Sequence, residues 1–248
     1  MAKTRVDQLL VDLGLVESQT KAKALIMAGA VFSGTVRVDK AGQTLPDDAQ
    51  LSVKTKEHPW VSRGGMKLAH AIEAFDLDLS GKTVLDLGAS TGGFTDVAIH
   101  EGAGLVFAVD VGHGQLAWKL REDPKVIVLE KQNARYLTEV EITKPVDVIV
   151  CDASFIGLRT ILPASLALVA DSALLVALIK PQFEVHKDQV GKKGVVRDAA
   201  LHQEVCTRIE SWLDDQPGWA VRGITPSPIT GPEGNVEFLI VADFHRQA

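Results

Sequence analysis

A glycine-rich turn separates an apolar strand from a helix in the stretch VLDLGASTGGFTDVAI, residues 84–99. The pattern predicts that the helix begins near Phe94. Gly88, Gly92 and Gly93 permit positive φ angles and a close approach of backbone to ligand, and the helix N-terminus presents free N–H groups. This combination is typical of a nucleotide-type site, and the alternative is a structural tight turn.

Two acidic residues beside this turn narrow the kind of ligand. The dinucleotide pattern G-x-G-x-x-G and the phosphate loop G-x-x-x-x-G-K-[ST] are both absent. Asp86 inside the strand and Asp110 at the end of the next one suit a zwitterionic cofactor with a ribose diol, such as S-adenosylmethionine. Asn133, after a third strand, would contact the adenine. The residues expected to receive the amino-acid end are Gly88, Ala89, Ser90, Thr91, Gly92, Gly93 and Phe94.

A lysine ends another apolar run, in LIKPQFEV, residues 178–185. A solvated strand end is the ordinary interpretation of one such lysine. Pro181 stops further strand pairing, so the Lys180 side chain is also free to face a site at the sheet edge.

The elements that position these residues follow from the alternation of apolar runs and longer segments. TVLDLGAS, LVFAVDVG, VIVLE, VDVIVCDAS and ALLVALIK predict a parallel sheet with helices on both faces. We therefore expect an α/β, Rossmann-like sheet over residues 63–248. Its last two strands, WAVRGITPSPI and VEFLIVADF, would pair antiparallel at one edge. Asp110, Asn133, Asp152 and Lys180 would lie at the edge where open α/β sheets bind ligands.

The first part of the chain predicts a separate small α+β unit, residues 1–55, joined by a linker, residues 56–62. Val6, Leu9, Leu10 and Leu13 share one face of a short helix. Ser18 can N-cap a second helix. Short strands follow it in AVFSGTVRVDKAGQTLPDDAQLSV.

Composition indicates a globular protein, with 46% hydrophobic and 23% charged residues among 248. No apolar run reaches about 18 residues, the start lacks a signal-peptide core, and Cys151 and Cys206 have no metal-ligand spacing. We expect a cytoplasmic protein without a metal or a membrane segment. The net charge of −6 argues weakly against a nucleic-acid partner, although residues 1–62 hold eight Lys and Arg against seven Asp and Glu.

Six motifs in order closely resemble the TlyA family of bacterial ribosomal-RNA 2′-O-methyltransferases, also called haemolysin A and related to FtsJ in their catalytic domain. They are SRGGMKLAHAIEAF, LDLGASTGGFTD, CDASFIGL, LIKPQFE, GVVRD and GNVEFLI. The first sixty residues resemble the small RNA-binding domain named for ribosomal protein S-four. The resemblance implies S-adenosylmethionine-dependent methylation of cytidine ribose in ribosomal RNA, on the large subunit or on both.

The resemblance also implies a catalytic set of Lys67, Asp152, Lys180 and Glu237. Taken without the family, Lys67 reads as an exposed helix lysine and Glu237 as a solvent-facing strand residue. Our hypothesis is that Lys180 holds and deprotonates the 2′-hydroxyl, and that the carboxylates orient the two lysines. Lys67 would favour the neutral form of Lys180 and would also stabilise the developing oxyanion. Asp152 would also contact the cofactor. DASF lacks the prolines common in enzymes that methylate base amines, which favours oxygen as the acceptor.

Basic residues suggest where RNA would bind. The stretch EVHKDQVGKKGVVR, residues 184–197, reads as a mobile basic flap over the RNA backbone or as a plain solvated loop. The expected RNA contacts are Arg5, Lys21, Lys23, Arg63, Lys187, Lys192, Lys193 and Arg197.

Two other functions stay open: a non-catalytic ribosomal-RNA-binding or assembly protein, and a haemolysin. The lack of a basic extension before Arg5 favours the large ribosomal subunit as the target. The target nucleotide would have to leave its stack. The sequence does not indicate an oligomeric state.

Overall fold

The computed structural model describes residues 3–54 and 58–246, and the chain divides into two compact units between Pro59 and Trp60. Each unit has its own hydrophobic core. The division into residues 1–55, a linker 56–62 and residues 63–248 stays a prediction. Linker residues 56 and 57 lie outside the described residues.

The described residues of the first unit, 3–54 and 58–59, form two short helices and five short strands. The helices are α1 (Val6–Asp12) and α2 (Gln19–Met27), and the strands are β1 (Lys3–Arg5), β2 (Val31–Ser33), β3 (Val36–Arg37), β4 (Thr44–Pro46) and β5 (Leu51–Val53). β1 pairs antiparallel with β4, and β2 lies between β3 and β5. The predicted cap is confirmed, because Ser18 accepts a hydrogen bond from the backbone N–H of Lys21 at 3.3 Å. β1 was not predicted, since its three residues have no apolar pattern.

The second unit is built on a seven-stranded sheet. Its strands are β6 (Thr83–Leu87), β7 (Leu105–Asp110), β8 (Val126–Glu130), β9 (Val146–Cys151), β10 (Val169–Ile179), β11 (Trp219–Pro226) and β12 (Phe238–His245). The order is β11-β12-β10-β9-β6-β7-β8. Neighbouring strands from β10 to β8 are parallel, and β12 pairs antiparallel with both β10 and β11. The predicted open α/β sheet with an antiparallel edge pair is therefore confirmed.

Helices cover both faces of this sheet. They are α3 (Gly65–Phe75), α4 (Gly93–His100), α5 (Trp118–Arg121), α6 (Leu158–Leu166), α7 (Pro181–Glu184) and α8 (Ala199–Asp214). Side chains alternate along each strand. Val84 therefore packs in the cluster that contains Leu68 of α3, whereas Leu85 packs in the cluster that contains Ile209 of α8.

Two connections differ from the predicted helices. Only the single turn of α5 lies between β7 and β8, and one 3₁₀ turn, Ala134–Tyr136, lies between β8 and β9. These segments have too few apolar residues at helical spacing to bury a longer helix against the sheet. Residues of both connections, among them Gln115 and Asn133, line a cavity at this edge of the sheet.

In the parts of the chain that the structure describes, no helix has both the length and the apolar composition that crossing a bilayer requires.

Candidate active site

The glycine turn connects β6 to α4, which begins at Gly93, one residue before the predicted start. Gly88 has φ +82°, and a Cβ placed there would lie 2.8 Å from the Cα of Ala153. That contact is shorter than real Cβ atoms make, and L side chains rarely adopt such a φ. Gly92 has φ +97°. The turn therefore requires glycine at both positions.

Asp86 lies beneath this turn and is fully buried. Its Oδ2 accepts a hydrogen bond from Thr95 Oγ1 at 2.6 Å, while its Oδ1 is buried with no partner among the described residues. Burial raises the pKa of the Asp86 carboxyl to about 7. Asp86 does not line either of the cavities described below, so its predicted contact with a cofactor is not direct in this geometry.

Asp110, the last residue of β7, is bonded to the same turn. Its Oδ2 accepts from the backbone N–H of Ser90 at 2.8 Å, and its Oδ1 accepts from Gly112 at 2.7 Å. Each carboxylate oxygen can accept a further hydrogen bond. Asp110 is thus oriented by the backbone and retains acceptor capacity for a ligand.

A cavity of about 600 Å³ opens at the carboxyl ends of β6, β7 and β9. Of the predicted cofactor residues, those that line it are Gly88, Ser90, Asp110, Asn133 and Asp152. Sequence reasoning missed further residues of its lining, among them Gln115, Gln132, Arg135, Phe155 and Thr160. Gln132 and Ala153 directly neighbour predicted residues at strand ends, so their placement in the chain could have indicated them.

A second cavity, of about 400 Å³, adjoins the first and shares Gly88, Ser90, Asp152 and Ser154 with it. Four predicted turn residues face only this one: Ala89, Thr91, Gly93 and Phe94. Gly92 lines neither cavity. The residues of the glycine turn are thus divided between two adjoining spaces.

The four charged residues implied by the family resemblance meet in the second cavity. Lys67 Nζ lies 2.7 Å from Glu237 Oε2 and 3.4 Å from Asp152 Oδ1. Lys180 Nζ lies 2.8 Å from the same Asp152 oxygen. Asp152 therefore contacts both lysines, and the four side chains form one continuous cluster.

The cluster is largely withdrawn from solvent. Lys67 and Lys180 are each 6% exposed and Glu237 is 2% exposed, so the interpretations of Lys67 as an exposed lysine and of Glu237 as solvent-facing are wrong. Lys180 also donates to the Asp152 backbone oxygen at 2.9 Å and to Ser154 Oγ at 3.0 Å. With the Asp152 carboxylate, these contacts provide an acceptor for each of the three ammonium donors.

Sheet topology explains how residues so distant in sequence meet. Asp152 follows β9, Lys180 follows β10, and Glu237 immediately precedes the antiparallel β12, so all three lie at one edge. Lys67 lies in the first turn of α3. Glu184 connects α7 to α6, because its Oε1 accepts a hydrogen bond from the backbone N–H of Leu158, the first residue of α6, at 2.7 Å.

In the first unit, the three predicted phosphate contacts are paired with carboxylates. Arg5 donates twice to the buried Asp7, at 3.0 and 2.7 Å, and Lys23 lies 4.0 Å from it. Lys21 lies 3.0 Å from Glu17. RNA contact by these residues remains a prediction, and it would have to compete with these ion pairs.

In the second unit, Arg63 lines the second cavity and donates to the Thr230 backbone oxygen at 3.4 Å. Three of the predicted loop cations, Lys187, Lys192 and Arg197, are exposed, and the fourth, Lys193, lies 3.8 Å from Glu233.

This loop is anchored at its far end rather than free along its length. Val195 and Val196 are buried, and the Asn235 side chain bonds to the Val196 N–H and the Gly194 oxygen. The backbone next to Lys192, Lys193 and Arg197 is therefore held in place by Asn235 and by the burial of Val195 and Val196.

Both cysteines are buried and unpaired with each other, and burial raises the thiol pKa to about 12 for Cys151 and about 11 for Cys206. Across residues 3–54 and 58–246, His, Cys, Asp and Glu form no group of three that could hold a metal ion.

Comparison with known proteins is consistent with this geometry. The model of the FtsJ-like methyltransferase family matches residues 60–244, and that of the S4 domain matches residues 4–51. The Mycobacterium tuberculosis 16S/23S rRNA (cytidine-2′-O)-methyltransferase TlyA is 46% identical over 239 residues, which are 96% of this chain and 89% of the relative. The Campylobacter jejuni 23S rRNA (cytidine-2′-O)-methyltransferase TlyA is 35% identical over 73% of this chain and 69% of its own.

A solved structure has the same fold over the whole chain. It is a Streptococcus thermophilus protein named as a hemolysin, with a TM-score of 0.76 and 42% identity, covering 100% of this chain and 90% of that one. The resemblance inferred from the motifs is confirmed. The chain belongs to the FtsJ-like methyltransferase family, and its N-terminal residues form an S4 domain.

Proposed function

We propose that this chain transfers a methyl group from S-adenosylmethionine to the 2′-hydroxyl of a cytidine in ribosomal RNA. The observation that carries the proposal is the cluster of Lys67, Asp152, Lys180 and Glu237 at the junction of two cavities. The names of the similar proteins supply the substrate class.

The size and lining of the first cavity support S-adenosylmethionine as its ligand. About 600 Å³ lies within the range of small-molecule sites, and the absent Cβ of Gly88 lets the glycine turn pack closely against Ala153, which also lines this cavity. Asp110 would accept from the ribose hydroxyls and Asn133 would contact the adenine. When bound, S-adenosylmethionine supplies an activated methyl carbon.

The second cavity would hold the target ribose, with its hydroxyl near Lys180 and Asp152. Aligning the attacking oxygen supplies much of the rate of such a displacement. The hydroxyl proton would pass to the Nζ of Lys180, which must first give up one ammonium proton to solvent. The three acceptors around Lys180 satisfy the ammonium that results and fix the position of its Nζ beside the target hydroxyl. Lys67 would steady the developing oxyanion, and the carboxylates hold both lysines in place.

The test incubates the full chain with methyl-labelled S-adenosylmethionine and separated ribosomal subunits from a strain that lacks the modification. We expect label on a cytidine 2′-oxygen of at least one subunit. The similar proteins are named for both rRNAs or for 23S alone, so the assay also decides the predicted preference for the large subunit. Cofactor binding without transfer to either subunit would favour the non-catalytic alternative.

Two substitutions separate the roles of Lys180. Lys180→Ala should abolish transfer while cofactor affinity is kept. Lys180→Arg keeps a positive charge but cannot accept a proton at neutral pH, so activity close to wild type in this variant would contradict the base assignment. Lys125→Ala, an exposed lysine directly before β8 and therefore at the opposite edge of the sheet, is the matched control.

A further inference from the structure

Gln182 is a polar residue next to the charged cluster that neither the family resemblance nor the glycine turn indicated. It lies in α7, two residues after Lys180, and its Nε2 donates to Glu237 Oε1 at 3.3 Å. It lines neither cavity, so it does not face the spaces proposed for cofactor and ribose. Gln182 can therefore act on the charged cluster through its hydrogen bond to Glu237.

The contact closes a ring of interactions. Glu237 binds Gln182 through Oε1 and Lys67 through Oε2, at 3.3 and 2.7 Å. Lys67 contacts Asp152 at 3.4 Å, and Asp152 contacts Lys180 at 2.8 Å. The contacts thus run from Gln182 through Glu237, Lys67 and Asp152 to Lys180. The backbone from Lys180 to Gln182 closes the ring.

A ring of this kind constrains Glu237 more than one ion pair does. A carboxylate held through one oxygen can rotate, whereas one held through both oxygens has a defined plane. Gln182 Oε1 is buried and has no partner in the described part of the chain. Burying an unpaired amide oxygen is unfavourable, so packing alone gives no reason for an amide at this position.

We propose that Gln182 is a positioning residue that orients Glu237 and, through it, Lys67. This inference rests on the proposed methyl transfer. Without the amide donor, the Glu237 carboxylate would lose its fixed plane and Lys67 would lose its place beside Asp152.

The experiment compares two variants at the same position in the ribosomal-subunit assay. Gln182→Met has a similar volume and no donor, and we expect it to lower kcat about 10- to 100-fold, the range for losing a hydrogen bond to a charged group. KM for S-adenosylmethionine should stay within about twofold, because Gln182 does not line its cavity. Gln203→Met, on the exposed face of α8, is the matched control and should leave both constants unchanged.

The pH dependence of activity in Gln182→Glu distinguishes an orienting role from a packing role, because a change in packing alone would not vary with pH. The carboxyl that this substitution introduces can still donate to Glu237 when it is protonated, whereas its ionised form repels Glu237. The activity of this variant relative to wild type should therefore fall as pH rises from about 5 to 8, while that of Gln182→Met should stay constant. Wild-type activity in Gln182→Met, or the same pH-independent loss in both variants, would overturn the proposal.

An activity-independent measurement keeps this inference separate from the proposed function. In a double-mutant cycle of unfolding free energies, Gln182→Met and Glu237→Gln should couple, because contacting residues are non-additive. If the wild type transfers no methyl group, the methyltransferase proposal fails, and a coupling of zero would then also refute the orienting contact. If Gln182→Met does not fold, the near-isosteric Gln182→Glu carries the pH test.

Discussion

Asp152 is the residue on which the candidate site depends most, because one of its oxygens contacts two lysines. Lys67 and Lys180 approach Asp152 Oδ1 at 3.4 and 2.8 Å, and Lys180 also binds the Asp152 backbone oxygen. Two like charges this close repel each other, and the attraction of both lysines to the Asp152 carboxylate offsets that repulsion. Asp152 thus allows two lysines to occupy one small cavity.

The buried Asp86 should make the folding stability of this protein depend on pH. Its pKa is raised to about 7 by burial, whereas an unfolded aspartate ionises near 4. Between these values the unfolded chain has lost the proton and the folded chain keeps it. The stability that this group contributes is therefore fully present below pH 4 and is lost as pH rises towards 7.

Asp86→Asn should remove this dependence, because an amide keeps the acceptor for Thr95 and does not ionise. We expect the unfolding free energy of the variant, relative to wild type, to increase by up to a few kcal/mol between pH 4 and pH 8. Denaturant unfolding at several pH values measures it. A constant difference between the two proteins would show that Asp86 ionises normally.

Among the elements, the glycine turn between β6 and α4 tolerates substitution least, because Gly88 combines a positive φ angle with a close contact to Ala153. Gly88→Ala would force both an unfavourable φ and a contact of 2.8 Å with Ala153, so we expect lower stability and weaker cofactor binding. Gly81→Ala is the matched control, since Gly81 has φ +71° but no atom within 4 Å of the added Cβ. It should lower stability by only about 1–2 kcal/mol. Thermal unfolding and cofactor titration compare the two variants. Equal losses of stability and of cofactor affinity in both would argue against the steric role of Gly88.

The strands and the glycine turn could be predicted because their evidence is local. Apolar runs, Gly88, Gly92 and Asp110 are each interpretable from their neighbours in sequence. The prediction of a helix between β8 and β9 was wrong because it rested on the length of the segment. Length alone does not show whether a segment has an apolar face that a helix could bury.

Lys67, Glu237 and Gln182 could not be interpreted from their own surroundings in the sequence. Each looks ordinary beside its neighbours, and the contacts that join the three arise only when α3, α7 and the start of β12 meet at one edge. Family resemblance supplied the first two. Gln182 was missed because its partner is 55 residues away, a relation that needs coordinates.

For the molecule as a whole, the net charge of −6 must be reconciled with an RNA substrate. RNA affinity then depends on local cations, and each phosphate contact makes binding more sensitive to salt. The exposed Lys192 and the neighbouring Lys193 are candidates for such contacts.

Replacing both Lys192 and Lys193 with glutamine should weaken ribosomal-subunit binding and reduce the slope of log affinity against log salt by about 1 to 2. Cofactor affinity should not change. The control replaces Lys82 and Lys125, exposed lysines that directly precede β6 and β8 at the opposite edge of the sheet. An unaltered slope in this variant would exclude phosphate contact by Lys192 and Lys193.

The formal charges of Lys67, Asp152, Lys180 and Glu237 add up to zero. Alanine at either lysine leaves an excess negative charge facing an incoming polyanion, and alanine at either acid leaves an excess positive one. An alanine scan of these positions would therefore mix the approach of the RNA with the chemistry. Exchanges that conserve neutrality, such as methionine for Lys67 together with glutamine for Glu237, would separate the two effects.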